Sequence, residues 1–356
     1  MMVTLANEFA ERGYRVDLVL TQAEGPYMSE VAHNVRVVDL GKSRVLTSLL
    51  PLAGYLRRER PDAMLSALNH ANVIAILARY LSRTHVRLLV SERANFSVSS
   101  ANMKPLQAAL RRTIIANAYP QADGIIAVSE GVADDLAKST GLDRATISVV
   151  YNPVVTQELL RKSRKTPSHP WFVAGEPPVI IAAGRLAKQK DFSTLLKAFS
   201  IVRQKRIARL VILGEGELKH ELNNLANVLG IQSDIDFPGF VENPFSYLSR
   251  SSLFVLSSGW EGLPNVLIQA MACGVPVVST DCPSGPREIL ADGQWGRLVE
   301  VGNAEEMAQA MAETLEKRHH PDVASRASEF SADRAVSGFL SHIFQSDSVE
   351  GATDAK

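Results

Sequence analysis

Short runs rich in β-branched residues alternate along this chain with stretches of 3.6-residue apolar periodicity, the pattern of parallel strands wrapped by helices. In the first half, runs at 16–20, 35–38, 63–66, 86–90, 124–128 and 147–150 predict strands. Ser129 opens a helix after the fifth of these, its hydroxyl placed to cap the first turn. The pattern breaks over 161–178, where a basic cluster meets Pro167, Pro170, Pro177 and Pro178. It then resumes with runs at 179–183, 210–213, 235–237, 253–256 and 275–279. The reading is an α/β chain of two doubly wound, Rossmann-like domains, 1–165 and 179–330, joined by a linker at 166–178. A helix over 331–345 is expected to cross back to the first domain, and the polar tail 346–356 to be disordered. Doubly wound sheets bind ligands outside the carboxyl ends of their strands, so the turns after the five later runs are expected to frame a cleft.

Composition agrees with two soluble domains. At 356 residues the chain is longer than one hydrophobic core usually grows, and it is 46% hydrophobic and 21% charged. No apolar stretch approaches the roughly 20 residues that span a bilayer. The opening residues carry acids within two turns and lack the basic start and apolar run of a secretory signal. Cys273 and Cys282 lie at neither metal-ligand nor redox-pair spacing, which points to buried thiols and a cytosolic compartment. A net charge of zero hides an asymmetry: residues 1–170 hold 21 Lys/Arg and 15 Asp/Glu, leaving 17 and 23 for the rest. Ten of those bases fall between Pro51 and Pro120 against Glu59, Asp62 and Glu92. With only Tyr55, Tyr80, Phe96 and Tyr119 interleaved, that stretch does not fit nucleic acid. It fits a surface for anionic lipid, or solvated helix faces with no partner.

Three turns carry the candidate chemistry. Gly184 lets backbone approach a ligand, Arg185 offers a planar fork of donors, and Lys190 places a compact charge before the next helix, so a diphosphate suits this turn. Gly214 and Gly216 follow the next strand, where a lone Gly-x-Gly equally describes a tight turn. Gly239 and Phe240 follow the third, with backbone able to read the edge of a planar base. Asp234 and Asp236 have the spacing of a metal-chelating pair, but they enter a short strand with no further carboxylate nearby in sequence, so no metal is assigned. The longest motif runs from Ser257 to Gly274 and contains Gly259-Trp260-Glu261-Gly262-Leu263-Pro264-Asn265-Val266. Glu261 is expected in the crevice, with Gln269 about two turns on and helix-start amides near Gly262 and Leu263 facing negative charge. Of His33, His70 and His85, only His70 lies near a strand end, as an acceptor-side candidate or a surface histidine.

That motif, with the Ala-Met-Ala-x-Gly-Val-Pro-Val run after it, resembles the family 4 glycosyltransferases of the GT-B fold, whose hallmark is Glu, seven residues, Glu. The resemblance implies two facing domains and a retaining transfer of sugar from a nucleotide diphosphate donor, a UDP-sugar, with no metal or other cofactor. Arg185 and Lys190 correspond to the diphosphate-binding pair and Glu261 to the contact with donor sugar. Gly184, Gly214, Gly216, Gly239, Phe240, Gly262, Leu263, Asn265, Val266 and Gln269 complete the implied donor set. Ser91-Glu92-Arg93 and Cys282-Pro283-Ser284-Gly285-Pro286-Arg287-Glu288 are similar to members that build bacterial polysaccharide, lipopolysaccharide or glycan-lipid intermediates. Hence a glycan or polyprenyl-linked glycan acceptor is expected, with Arg93 and His70 on its side. Two departures stand out. The second motif Glu is Gln269, an amide that accepts from a hydroxyl without charge assistance. The strand and glycine-rich loop that usually precede the helix matched by Val3 to Arg12 do not precede it here, so a truncated first domain is expected. The rival readings are a sugar-nucleotide epimerase on the same scaffold and a binding protein without turnover.

Overall fold

The computed structural model describes residues 1–101 and 103–344, which group into two compact units. One comprises residues 1–128 and 133–153 with the C-terminal helix Ala332–Phe344; the other comprises 129–132 and 154–331. The expected disordered tail, 346–356, lies outside the described residues.

The first unit contains six strands: β1 (Val16–Leu20), β2 (Val35–Asp39), β3 (Ala63–Ala67), β4 (Arg87–Glu92), β5 (Gly124–Ala127) and β6 (Ile147–Val149). All pair in parallel, but in two separate sheets, β1-β2 and β3-β4-β5-β6. Helices hold the sheets together from above and below. Leu5 of the helix Met2–Glu11 joins a core with Leu89, Ile126, Val336 and Phe339, while Ala6 and Ala10 of the same helix pack with Leu18 and Val35. Elsewhere the helices Leu49–Glu59 and Asn69–Ser82 set Leu52, Leu56, Ile74 and Ala78 against Val19, Val38 and Met64. Both sets of contacts reach strands of both sheets.

The second unit has one continuous parallel sheet of six strands, β7 (Val179–Ala183), β8 (Arg209–Leu213), β9 (Ile235–Gly239), β10 (Leu253–Leu256), β11 (Val277–Thr280) and β12 (Arg297–Val299), in the order β12-β11-β10-β7-β8-β9. Its strands are near-continuous apolar runs because both faces are covered. Ile180, Ile212 and Val255 pack against Leu195, Phe199, Met307 and Met311 of the helices Phe192–Lys205 and Ala304–Glu316. The alternate positions Ile181, Val211, Phe254 and Val277 are equally buried. Asp191 and Asn303 cap those two helices through the backbone N–H of Thr194 and Glu306.

Chain order determines where a ligand can sit. The chain starts the second sheet at β7, moves outward through β8 and β9, then returns to β10 on the other side of β7. The turns after β7 and β10 therefore diverge from neighbouring strand ends, which is the topological switch point.

The residues around the expected linker are packed onto the second unit. Pro170–Phe172 is a 3₁₀ turn whose preceding His169 binds the Asp236 carboxylate at 2.8 Å and contacts the rings of Trp171, Phe172 and Tyr247. Val154 and Val155 both donate their N–H to the Phe330 carbonyl, so the chain enters and leaves this unit side by side.

Candidate functional site

The turn after β7 and the turn after β10 meet through backbone and side chains alike. Gly259 N–H donates to the Gln189 carbonyl at 2.8 Å, and Gln189 Nε2 donates to the Trp260 carbonyl at 2.8 Å. Ser257 Oγ donates to the Lys190 carbonyl at 2.7 Å. Across this seam Lys190 Nζ lies 2.5 Å from Glu261 Oε1. Ser258 Oγ donates to the same oxygen at 2.7 Å, and Gln189 Nε2 reaches Oε2 at 3.5 Å. Ser258 is itself held by Thr280 Oγ1, which donates to its carbonyl at 2.6 Å. Both charged side chains are largely buried, so removal of one would leave the other uncompensated in a low-dielectric setting.

This pair lies on the wall of a cavity of about 330 Å³ within the second unit. Gly184, Lys190, Glu261, Leu263, Asn265, Val266 and Gln269 line it, together with Ala183, Pro244 and Pro264. A Cβ on Gly184 would stand 3.0 Å from Lys190 Cε, so the missing side chain leaves room for the lysine stem to cross the turn. The helix Asn265–Ala272 begins at the cavity. Pro264 precedes it without a side-chain cap, and a helix start presents amide donors and partial positive charge to an anion. Gln269 stands about one turn inside that helix, four residues beyond Asn265.

The other implied donor residues lie outside this lining. Arg185 is 76% exposed and its guanidinium pairs with Glu217 at 3.3 Å, beside the turn after β8. Gly214 and Gly216 serve close backbone packing: a Cβ on Gly214 would fall 2.1 Å from the Gly184 carbonyl oxygen, and one on Gly216 2.4 Å from that of Leu186. Gly214 N–H in turn donates to the Gly239 carbonyl at 2.8 Å, which ties three successive turns together. Phe240 is exposed at the end of this series. Gly262 accepts from Ser129 Oγ at 2.8 Å. Asp234 and Asp236 have partners of their own: Asp234 binds Arg203 and Arg209, and Asp236 binds His169. Burial pushes both thiols, Cys273 and Cys282, up to about 12, and Glu261 adds to the effect at Cys282, so both remain protonated.

Sequence reasoning missed Gln189, Ser258 and Thr280. The doublet Ser257-Ser258 directly after β10 was the available signal, since a small hydroxyl at a strand end commonly serves a neighbouring loop.

The acceptor-side candidates belong to the first unit. His70 is exposed in the first turn of Asn69–Ser82. Arg93 follows β4; it donates to Asn152 Oδ1 at 2.7 Å, while its buried Nε has no partner among the described residues. Burial lowers this guanidinium to about 10. Beside it, Glu92 is buried and pushed up to about 7 by desolvation, although Tyr119 Oη and Asn72 Nδ2 donate to it.

Two α/β units with parallel sheets, one presenting a cavity at its switch point, define a GT-B fold. Two solved structures share it at the level of fold. The lipopolysaccharide outer core galactosyltransferase WaaB in its apo form aligns with a TM-score of 0.73 at 19% identity, over 96% of this chain and 94% of that one. Anabaena Alr3699/HepE in complex with UDP and glucose aligns with 0.74 at 19% identity, over 95% and 93%. The model for glycosyl transferases group 1 matches residues 164–330, and that for glycosyltransferase family 4 matches 1–158. The chain belongs to the family 4 (group 1) glycosyltransferases. One relative, the N-acetylgalactosamine-N,N'-diacetylbacillosaminyl-diphospho-undecaprenol 4-alpha-N-acetylgalactosaminyltransferase of Campylobacter jejuni, is 33% identical over 249 residues, 70% of this chain but 66% of its own length. The lipopolysaccharide core biosynthesis glycosyltransferase LpsE of Rhizobium meliloti is 28% identical over 88% of this chain and 84% of its own. Among the described residues no helix is long and apolar enough to cross a membrane.

Proposed function

We propose that this protein moves a hexosyl or N-acetylhexosaminyl group, with retention at the anomeric carbon, from a UDP-sugar to a glycan or polyprenyl-linked glycan acceptor in bacterial cell-surface polysaccharide synthesis. The observation that carries the reading is the Lys190–Glu261 pair on a cavity wall beside an uncapped helix start. Cation and helix start together favour a diphosphate, and the carboxylate is a strong acceptor for sugar hydroxyls. In the transfer, the bond from the anomeric carbon to the diphosphate oxygen breaks and the acceptor oxygen bonds on the same face. The acceptor proton passes to the departing diphosphate, so no protein base is required. Lys190, joined by Arg185 from the same turn, stabilises the charge that develops there, and this reading needs neither a metal nor another cofactor. Glu261 orients the sugar, Gln269 accepts from ribose, and the turn at Gly239 and Phe240 takes the base.

The names of the relatives support the acceptor class, one being a transferase to a diphospho-undecaprenol-linked glycan and another a lipopolysaccharide core enzyme. UDP is the nucleotide bound in a structural neighbour. The reading places the protein at the inner face of the plasma membrane, touching anionic lipid through the basic 51–120 region. Radiolabelled UDP-hexoses and UDP-N-acetylhexosamines, incubated with membrane-extracted lipid-linked glycans and with chelator present, test it. The expected result is label in the lipid-linked fraction from one donor. Conversion of the donor's sugar in the absence of acceptor would instead establish an epimerase.

A further inference from the structure

We infer that the helix Pro105–Ala118 is the element by which this protein sits on an anionic bilayer. This deepens the membrane contact proposed above and rests on it. Six of the ten bases between residues 51 and 120 are engaged within the fold. Arg57 donates to the Leu81 carbonyl, Arg58 pairs with Glu59, and Arg79 with Asp123. Arg87 donates to the His342 carbonyl, Arg93 to Asn152, and Arg111 to Ser99 and Ser100. The stretch is thus not a uniform basic face. Of the other four, all exposed and without an ion-pair partner among the described residues, Arg60 and Arg83 are the C-caps of the helices Leu49–Glu59 and Asn69–Ser82, while Lys104 and Arg112 belong to this helix or its N-cap.

The helix is apolar on two sides. Its inner side buries Ile115, while Leu106, Leu110 and Ile114 form a stripe at successive four-residue steps that is 82%, 59% and 41% exposed. A contiguous apolar stripe on the solvent side of a helix is normally covered by protein or by lipid. No acidic residue occurs from 94 to 122, so every charge this segment itself carries is cationic. At about 21 Å of helix for 14 residues it cannot span a bilayer, and an apolar face edged by Lys and Arg lies in the interface plane. The adjoining helix Asn69–Ser82 leaves Leu77, Tyr80 and Leu81 exposed, and a tyrosine suits headgroup depth. The same charges oppose a second copy of this chain as the occupant, because symmetric pairing of the helix would set Lys104 and Arg112 against one another with no acid between.

Co-sedimentation of the full chain with phosphatidylcholine vesicles, with and without phosphatidylglycerol, reads this surface directly and needs no donor. Anionic vesicles are expected to bind at least tenfold more protein than neutral ones, less at high salt. Leu106→Glu with Leu110→Glu should lower binding at least tenfold, and Lys104→Glu with Arg112→Glu should abolish the anionic preference. Val228→Glu, at an exposed apolar position of the second unit, should change nothing. Equal binding by wild type and the leucine pair would overturn the proposal, as would a dimer in sedimentation velocity that the leucine pair dissolves while vesicles remain unbound. Lys190→Ala should retain vesicle binding, so near-normal transfer by that variant with binding intact counts against the catalytic reading alone.

Discussion

The two units are built from the same parts and differ in continuity. In the second, six parallel strands are hydrogen-bonded in one sheet, and the turn after β7 is tied by backbone hydrogen bonds to the turns after β8 and β10, with the turn after β8 tied to the end of β9. In the first, the pair β1-β2 and the four strands β3 to β6 share helices but no ladder. Hydrogen bonds across adjacent strand ends place turns to within tenths of an ångström, whereas helix packing places sheets through pliant side chains. That difference explains why the cavity, the ion pair and the uncapped helix all lie in the second unit, while the candidates of the first, His70 and Arg93, are joined by no hydrogen bond among the described residues. Preorganised electrostatics needs the stiffer frame.

The sharpest way to break this comparison is to attack the site in the stiff frame. Lys190→Ala removes the cation and leaves Glu261 buried beside Ser258 without a counter-charge. Loss of one such preorganised group typically costs about 2.7–4 kcal/mol of barrier, so kcat should fall by a factor of 10² to 10³. Arg185→Ala is expected to match it, although Arg185 is exposed and rests on Glu217. Steady-state kinetics on the transfer reaction decides; near-normal turnover in the lysine variant would remove the site assignment.

The same contrast marks what the sequence could say. Eleven of the twelve strands fell within a residue or two of the predicted runs, since each is a dense β-branched or aliphatic stretch ending in a turn. β11 begins later than predicted, at Val277, because Pro276 has no N–H for a ladder. β12 was not predicted: three residues, one of them Arg297, carry too little pattern. The motif around Glu261 was legible because its residues are contiguous. Its supports were not, since Thr280 reaches Ser258 only through the pairing of β10 with β11, and Gln189 only through that of β10 with β7. Nor was the break between β1-β2 and β3-β6 visible, because a run that pairs on one edge reads like a run that pairs on two. Glu92, Tyr119 and Asn72 illustrate the same limit across 20 to 47 residues of separation.

A second test strikes the seam between turns rather than the ion pair. Gly214→Ala forces a methyl group to 2.1 Å from the Gly184 carbonyl oxygen, and the obstacle is backbone. Overpacking of this kind costs about 1–3 kcal/mol, with strain from φ 128° added. Urea unfolding should show the lowered midpoint, and donor affinity should fall with it because Gly184 lines the cavity. Retained stability would mean that the second frame is softer than its hydrogen bonds imply.

In the first unit the buried Glu92 is a stored cost. Its folded value is raised from the ordinary 4.5 to about 7, so the folded state holds this proton more tightly than the unfolded chain does. Stability from this group is therefore fully present below about pH 4.5 and is lost as pH rises to and beyond 7, by a total on the order of 3 kcal/mol. Glu92→Gln keeps an acceptor for Tyr119 and removes the titration. Comparing denaturation of wild type and variant at pH 5 and pH 8, the variant should gain relative stability at the higher pH. A pH-independent difference would mean that Glu92 titrates normally.

The smallest effect tests the pliancy of the helix layer itself. Gly54 lies in the helix Leu49–Glu59, which reaches strands of both sheets, and a Cβ there would meet nothing within 4 Å. Alanine in a helix interior is favoured over glycine by about 0.5–1 kcal/mol, chiefly because the unfolded chain has less freedom to lose. Gly54→Ala should therefore stabilise the first unit by that amount and slow amide exchange in β1 and β3 together, since one helix layer braces both strands. Slowed exchange in β1 alone would show that the two sheets open independently. The unit would then be two bodies under one helical layer, and a residue such as Arg93 at the end of β4 could not be positioned by anything on the β1-β2 side.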